Sequence, residues 1–533
     1  MTEERVKYAL KRLSALKDKR KFWEPYWDKA AELCSINSRI YIKDGKGRFV
    51  QKVFDTTARS DLTRFAAALK SILVPSNQRY HRIKASRPGL DDNDAVRRFL
   101  EYVNNLLFKF RYAAGSSFSS EADMMLTQLG LYGQSPWLVE DNVGRGISYR
   151  TILMAEIYCD VNRFNRVDTV YREYEMSLRQ AIKEFGSRAT AKMKERFEKQ
   201  PDSNVRLLHV VEPREDRKPL RQDYSGMPFV SYHINLDDEG GELIYESGYR
   251  TQPYMVPHYL GIPGSAYGDS PALQAFFDIL TINEMSKTVL RTGQLQGNPP
   301  ILSAANIANA ARAGTAGALI PGAIDIQGRP LLAPMQYGNN LSITLELQNQ
   351  VREAIHNAFL QPLFLSLAQT KEMTAEEARL REQEKAMLLA PMGERINSEW
   401  MVGNCEREID IIREYGLLDE VPDELMEDGS LQIEFESPLV HMQQAGEIKG
   451  VFETLESAMS LSQVDPTVLD RIDMGEALTI IANYKGVPSR ILRTPEQIQA
   501  LGEARAQQQQ AEQLLQAAPV LSQSMKNLKE AGA

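Results

Sequence analysis

Gly268-Asp269-Ser270-Pro271-Ala272-Leu273-Gln274-Ala275-Phe276-Phe277-Asp278-Ile279-Leu280 opens the half of the chain whose reading decides the fold. Ser270 is placed to cap a helix and Pro271 sits where proline is welcome, at the first helical position. Leu273, Phe276, Phe277, Leu280 and Val289 then keep one apolar face to about Gly293. An Ala/Gly/Pro-rich stretch follows, Gly297–Pro334, with Pro299-Pro300 and Gly314-Thr315-Ala316-Gly317. Helix resumes near Ser342, with Leu347, Val351, Ile355 and Phe359 four apart, and ends near Pro362. Two long helices around an irregular insertion, with too little apolar patterning to bury themselves, require an external partner.

Upstream, residues 3–33 read as an amphipathic helix interrupted at Pro25, and further helices are predicted at Ser60–Leu73, Asp94–Phe110 and Ser119–Leu131. The texture then turns to short β-branched and aromatic runs separated by turn residues. Strands are predicted at Pro136–Glu140, Ser148–Ile152, Glu156–Val161, Val167–Glu175, Val205–Val211, Phe229–Asn235, Glu242–Tyr249 and Tyr254–Tyr259, with helices at Leu178–Glu184 and Ala189–Lys199. Runs of helices and then strands make the chain α+β and mainly helical, without βαβ alternation. Downstream, Thr374-x-x-Glu377 is a capping box opening a helix that is bent or broken at Pro391, and Glu394–Tyr415 carries it onward. Thr494, Pro495 and Gln497 start a last helix through Gln507-Gln508-Gln509-Gln510.

The 533 residues exceed what one core usually supports, and 25% charged with 43% hydrophobic is a globular balance. No apolar run of about 18 residues offers a membrane span, and the charged N-terminus through Lys21 argues against a secretory segment. Cys34, Cys159 and Cys405 form no Cys-x-x-Cys pair and read as buried, reduced thiols of a cytoplasmic product. Charge is unevenly placed: residues 1–100 carry 23 Lys and Arg against 12 Asp and Glu, whereas residues 371–480 carry 9 against 26. Such an acidic block does not grip phosphate. It suits a surface that nucleic acid slides past, and equally a solvated helix face.

No phosphate-binding loop, dinucleotide fingerprint or His-Glu-x-x-His is present. Gly268-Asp269-Ser270-Pro271-Ala272 lacks the second glycine of a nucleophile elbow, so Ser270 reads as helix punctuation. The six histidines are scattered, with no spacing that shares a metal on one helix or strand, and His356 reads as packed or capped. The chain is expected to be no enzyme, with no catalytic, cofactor-binding or metal residues.

Several phrases resemble one another's order in a known family. They are Phe54-Asp55-Thr56-Thr57-Ala58, Leu73-Val74-Pro75, Tyr267-Gly268-Asp269-Ser270-Pro271-Ala272, Asp278-Ile279 with Asn283, and Asn298-Pro299-Pro300. Thr374-Ala375-Glu376-Glu377, Glu436-Ser437-Pro438-Leu439 and Gly486-Val487-Pro488 leading into Arg493-Thr494-Pro495-Glu496 complete the series. Together they resemble the portal, or head-to-tail connecting, proteins of T7-like short-tailed bacteriophages. The resemblance implies the phage portal fold, assembled as a twelvefold ring. It implies a wing over residues 1–268, stem helices at 269–293 and 342–365, and a clip at 294–341 between them. A tunnel loop at 366–373, wing return helices at 374–439 and a crown with C-terminal barrel helix at 440–533 follow. In the tunnel loop, Gln369, Thr370, Lys371 and Glu372 would face DNA, with Lys371 as its lone cation or as a plain solvated lysine. The implied role is the DNA channel at one capsid vertex for genome packaging and ejection, and the docking platform for the terminase large subunit and then the tail. Implied partners are tail adaptor and tail proteins, major capsid and scaffolding proteins, and double-stranded DNA, with no membrane. The product would be made in the bacterial host cytoplasm and reside in the virion. A tail adaptor or other head–tail joining protein is the alternative.

Overall fold

A computed structural model describes residues 2–35, 53–303, 320–335, 341–365, 387–435 and 450–461, less a few short breaks, and isolated turns between 467 and 504. The chain divides into two compact units. The first holds residues 1–81, 105–419 and 435–440, and the second holds 82–104, 420–434 and 441–533. The architecture is α+β and mainly helical.

The first unit opens with α1 (Thr2–Arg20) and α2 (Glu24–Cys34), parted just before Pro25, which takes an early helical position in α2. Its center is a five-stranded antiparallel meander, β4 (Ile157–Val161), β5 (Val167–Ser177), β6 (Asn204–Pro213), β7 (Phe229–Asn235) and β8 (Glu242–Tyr249), ordered as in the sequence. In register, Leu208 faces Ile234, His209 faces His233 and Val210 faces Tyr232. Alternate side chains therefore leave opposite faces. On one face lies α1, with Val6, Ala9, Leu13 and Leu16 buried on Tyr158, Tyr171, Leu208, Val210 and Ile234. On the other lie α6 (Leu178–Phe185) and α7 (Ala191–Lys199), burying Leu178, Ala181, Phe185 and Met193 with Val205, Leu207 and Ile244. Each such side chain contributes about 1.5–3 kcal/mol when fully buried. Ser177 and Gln180 close the capping box that starts α6.

A second sheet orders β3 (Gly146–Thr151), β2 (Trp137–Asn142) and β9 (Tyr254–Met255). The predicted strand Tyr254–Tyr259 is only two residues long, because Pro257 supplies no ladder donor beyond it. Against this sheet pack α5 (Phe118–Tyr132) and α12 (Val402–Glu414), and α3 (Thr57–Leu73) packs on α5. Phe118, Trp137, Tyr149 and Trp400 form an aromatic cluster there, and Trp137 donates to Asn404 at 2.9 Å. The helix before α12 continues through Pro391 rather than breaking, and its irregularity is a π turn at Asn397–Met401. α5 ends on Gly133 at φ +81, where a Cβ would lie 2.5–2.6 Å from the carbonyl oxygens of Gly268 and Asp269. That contact requires glycine and seats the backbone entering α8 (Pro271–Gln274).

In the second unit the paired strands β1 (His81–Ala85) and β12 (Leu431–Phe435) had no counterpart in the sequence reading. Ile83, Val96 and Leu100 are buried, and α4 (Asp94–Arg111) passes through this stretch. No helix among the described residues is long and apolar enough to cross a membrane.

Candidate functional site

α9 (Phe276–Gly297) and α10 (Leu341–Ala358) pack on each other, and a strap of chain at Phe54–Thr57 ties them together. α8 begins as the sequence requires, with Ser270 Oγ accepting the Leu273 amide at 2.9 Å and donating to the Leu131 carbonyl at 3.0 Å, but the single helix expected over 271–293 is divided at Ala275, beyond which α9 starts. Ser270 is thus fully engaged as a cap. Inward from α9 come Phe276, Ile279, Ile282, Asn283 and Ser286. Asn283 Oδ1 accepts the Phe54 amide at 2.8 Å. One oxygen of Asp55 accepts from Arg352 Nη2 at 3.0 Å and from Ser286 Oγ at 3.3 Å, while the other accepts the Thr57 amide at 2.9 Å. Gln348, buried on α10, donates to Ser286 at 3.4 Å. Burial pushes the Asp55 carboxyl up, but hydrogen bonds from Thr57 and Arg352 overrule it and hold it below the usual carboxylate range.

One turn further along α10, His356 Nδ1 bonds the buried Asp61 carboxylate, and Gln361 donates to the Asp61 carbonyl at 3.0 Å. Burial raises the Asp61 pKa, with His356 opposing it. Hydrogen bonds to charged groups contribute about 1.5–3 kcal/mol each, so this joint locks the register of the two helices. α10 stops at Ala358 and the chain turns through Leu360, at φ +56, into α11 (Gln361–Leu365). The predicted unbroken helix to Pro362 is therefore divided.

The outer faces are a different surface. Phe277 is 74% exposed, and Leu290, Leu345 and Leu347 also stand out. The apolar rows expected to need an external partner are uncovered in this chain at Phe277 and Leu347. Inward positions are instead Ile282, Asn283 and Ser286 on α9 and Gln348, Ile355 and Phe359 at α10. Between the helices β10 (Ile301–Ser303) and β11 (Leu332–Pro334) pair as a hairpin. Its Leu302 and the turn residues Ile324 and Ile326 are exposed.

Among the other described histidines, His258 is bonded to Glu399 at 2.8 Å and to the Ala266 carbonyl at 3.1 Å. Cys34, Cys159 and Cys405 are free and buried, and burial pushes each thiol up to about 12. Gln369, Thr370, Lys371 and Glu372 lie outside the described residues, as do the capping box at Thr374 and the helix start at Thr494. The sequence reading missed the joint. Phe54-Asp55-Thr56-Thr57 was visible as a phrase, but no local spacing links it to Arg352, 297 residues away.

The chain is a member of the bacteriophage head to tail connecting protein family, whose model matches residues 6–492. It is 25% identical over 515 residues to a probable portal protein of Bordetella phage BPP-1, covering 95% of this chain and 92% of that one. It is 23% identical over 544 residues to the portal protein of Salmonella phage epsilon15, covering 99% and 96%. Among solved structures, a chain of the neck of an empty gene transfer agent particle computed with C6 symmetry superposes with a TM-score of 0.37 at 11% identity, over 79% of this chain and 90% of that one. The family is that of a structural connector.

Proposed function

We propose that the chain is a portal subunit, one of twelve copies in a ring at a capsid vertex that serves as the DNA channel for packaging and ejection. The outer faces of α9 and α10 carry this reading. Phe277, Leu290, Leu345 and Leu347 are exposed on helices whose inner faces are already satisfied. A closed cyclic ring of identical copies covers such faces without leaving an edge. In this reading α9 and α10 lie in the stem, residues 294–341 form the clip, residues 1–268 lie in the wing and residues 440–533 form the crown and barrel. The clip docks the terminase large subunit and then the tail proteins, and capsid proteins surround the wing. Residues 366–373 form the tunnel loop.

Light scattering coupled to size exclusion is expected to give a mass many times 60.2 kDa. A clean monomer at micromolar concentration overturns the reading. Within the tunnel loop, Lys371 is the cation able to hold phosphate weakly, at about 1 kcal/mol in water-like surroundings, and twelve copies make a brake. Lys371→Glu should leave ring mass unchanged and reduce the DNA packaged or retained in particles. Equal packaging yield and leakage would return Lys371 to the status of a solvated lysine.

A further inference from the structure

β4 and β5 are joined by a tight turn, Asn162-Arg163-Phe164-Asn165-Arg166, whose holding residues and displayed residues are different. The Asn162 amide donates to the Arg166 carbonyl and the Asn165 amide to the Asn162 carbonyl, both at 2.9 Å. Asn162 Oδ1 accepts the amides of Phe164 at 2.9 Å and Arg166 at 3.1 Å. Asn165 takes φ +60, a conformation asparagine tolerates, and its Oδ1 accepts the Gly264 amide at 3.1 Å. The side chains of Arg163, Phe164 and Arg166 take no part in this and are all exposed.

What the turn displays is unusual for a hairpin tip, where small polar residues and glycine suffice. Phe164 is 68% exposed, and the Arg163 guanidinium lies over its ring at 4.5 Å from the centroid. Neither Arg163 nor Arg166 is in an ion pair among the described residues. The neighboring cations Arg12 and Lys19 are taken by Asp160. Arg166 is near enough to Glu406 to oppose the burial that raises that carboxyl, without pairing with it. Stacking restrains Arg163 before any ligand arrives, so less entropy is lost on binding. A guanidinium fork matches phosphate oxygens, and an aromatic–arginine pair suits a nucleic-acid backbone.

We propose that this turn is a contact point for the sugar-phosphate backbone of double-stranded DNA, with Arg163 and Arg166 on phosphates and Phe164 against the sugar. The choice of DNA rests on the portal reading above. The test uses the assembled full-length protein, a fluorescent duplex of about 30 base pairs and anisotropy at salt from about 50 to 200 mM. Arg163→Glu/Arg166→Glu should weaken binding at least tenfold at the lowest salt, and Arg163→Gln/Arg166→Gln should make the log–log salt slope shallower by about two. Phe164→Ala should weaken binding severalfold with the slope unchanged.

Affinity and slope equal to the parent in all three variants overturn the proposal. So does loss of the ring in the glutamine variant, which would make the turn a subunit contact. Equal competition by polyglutamate also overturns it, since the turn would then be reading carboxylates. Light scattering on the same samples separates the two readings: a parent that is not a ring removes the portal reading, whereas rings whose DNA binding ignores these substitutions remove only this one.

Discussion

Glu408→Ala is expected to destabilise the first unit by about 3–5 kcal/mol and to lower its melting temperature by on the order of 10 °C. Arg111 and Glu408 are both wholly buried, and their ion pair is 2.5 Å long at the closest approach. Arg111 Nε reaches Glu408 at 2.8 Å, and its Nη groups reach Tyr80 at 3.1 Å, His81 and Cys405. Tyr149 donates to Glu408 at 2.6 Å. Burial alone would lower the Arg111 pKa, but attraction from Glu408 carries it well above its ordinary value, so the guanidinium stays charged. Removing Glu408 leaves that charge among neutral partners only. Taking both charges away is a different experiment, because apolar replacements of similar volume are often neutral. Arg111→Met/Glu408→Leu should therefore cost less than Glu408→Ala alone, by several kcal/mol in a double-mutant comparison. Scanning calorimetry on the three proteins checks both statements. A loss under about 1 kcal/mol in the single variant would mean that another acceptor or water had replaced Glu408.

This pair also shows where sequence reading stops. Helices and strands were legible wherever the signal is local: Ser270-Pro271 starts a helix by its own chemistry, and alternation along Val205–Val211 and Phe229–Asn235 marks two strands of the meander. The family was legible too, from short phrases in order. Arg111 and Glu408 lie 297 residues apart, and neither segment carries a sign of the other. The same holds for Asp55 with Arg352 and for Asp61 with His356. Periodicity marked the rows of Phe277 and Leu347 as apolar, but a row does not say which of its members one chain covers by itself: Phe276 and Ile355 are buried, Phe277 and Leu347 are not. Pro391 fails as a breaker for a simpler reason. A helix continues through a proline at the loss of one hydrogen bond when packing supports both sides. The three-residue strands β10 and β11 were too short for any alternation to show.

The five-stranded sheet should lose stability in mild acid through His209 and His233, and the sign follows from their burial. The two imidazoles face each other across β6 and β7, stacked at 4.1 Å, and His233 stacks again on Tyr245 at 4.6 Å. His209 is bonded to Tyr254 at 2.8 Å and to Ser231 at 2.9 Å. Burial drives both pKa values down, that of His233 to about 3, assisted for His209 by His233 and Arg172 and for His233 by Arg172. In the unfolded chain each titrates near 6.5. Between that value and the folded one, the unfolded state binds more protons, so stability is present above about pH 6.5 and falls as pH drops through the window. A histidine kept neutral in the folded sheet removes about 1.4 kcal/mol per pH unit below 6.5, and the two act in the same direction. Glu212 and Glu184, whose carboxyls are raised chiefly by burial, take protons in the folded state and oppose this at lower pH. The useful measurement is therefore a difference. His233→Phe keeps a ring between His209 and Tyr245 while deleting one proton site. In urea unfolding at about pH 6.5, 5.5 and 4.5, the variant should gain on the parent by about 1.4 kcal/mol for each unit of acidification. A gap that stays constant with pH would mean that His233 accepts its proton inside the folded sheet.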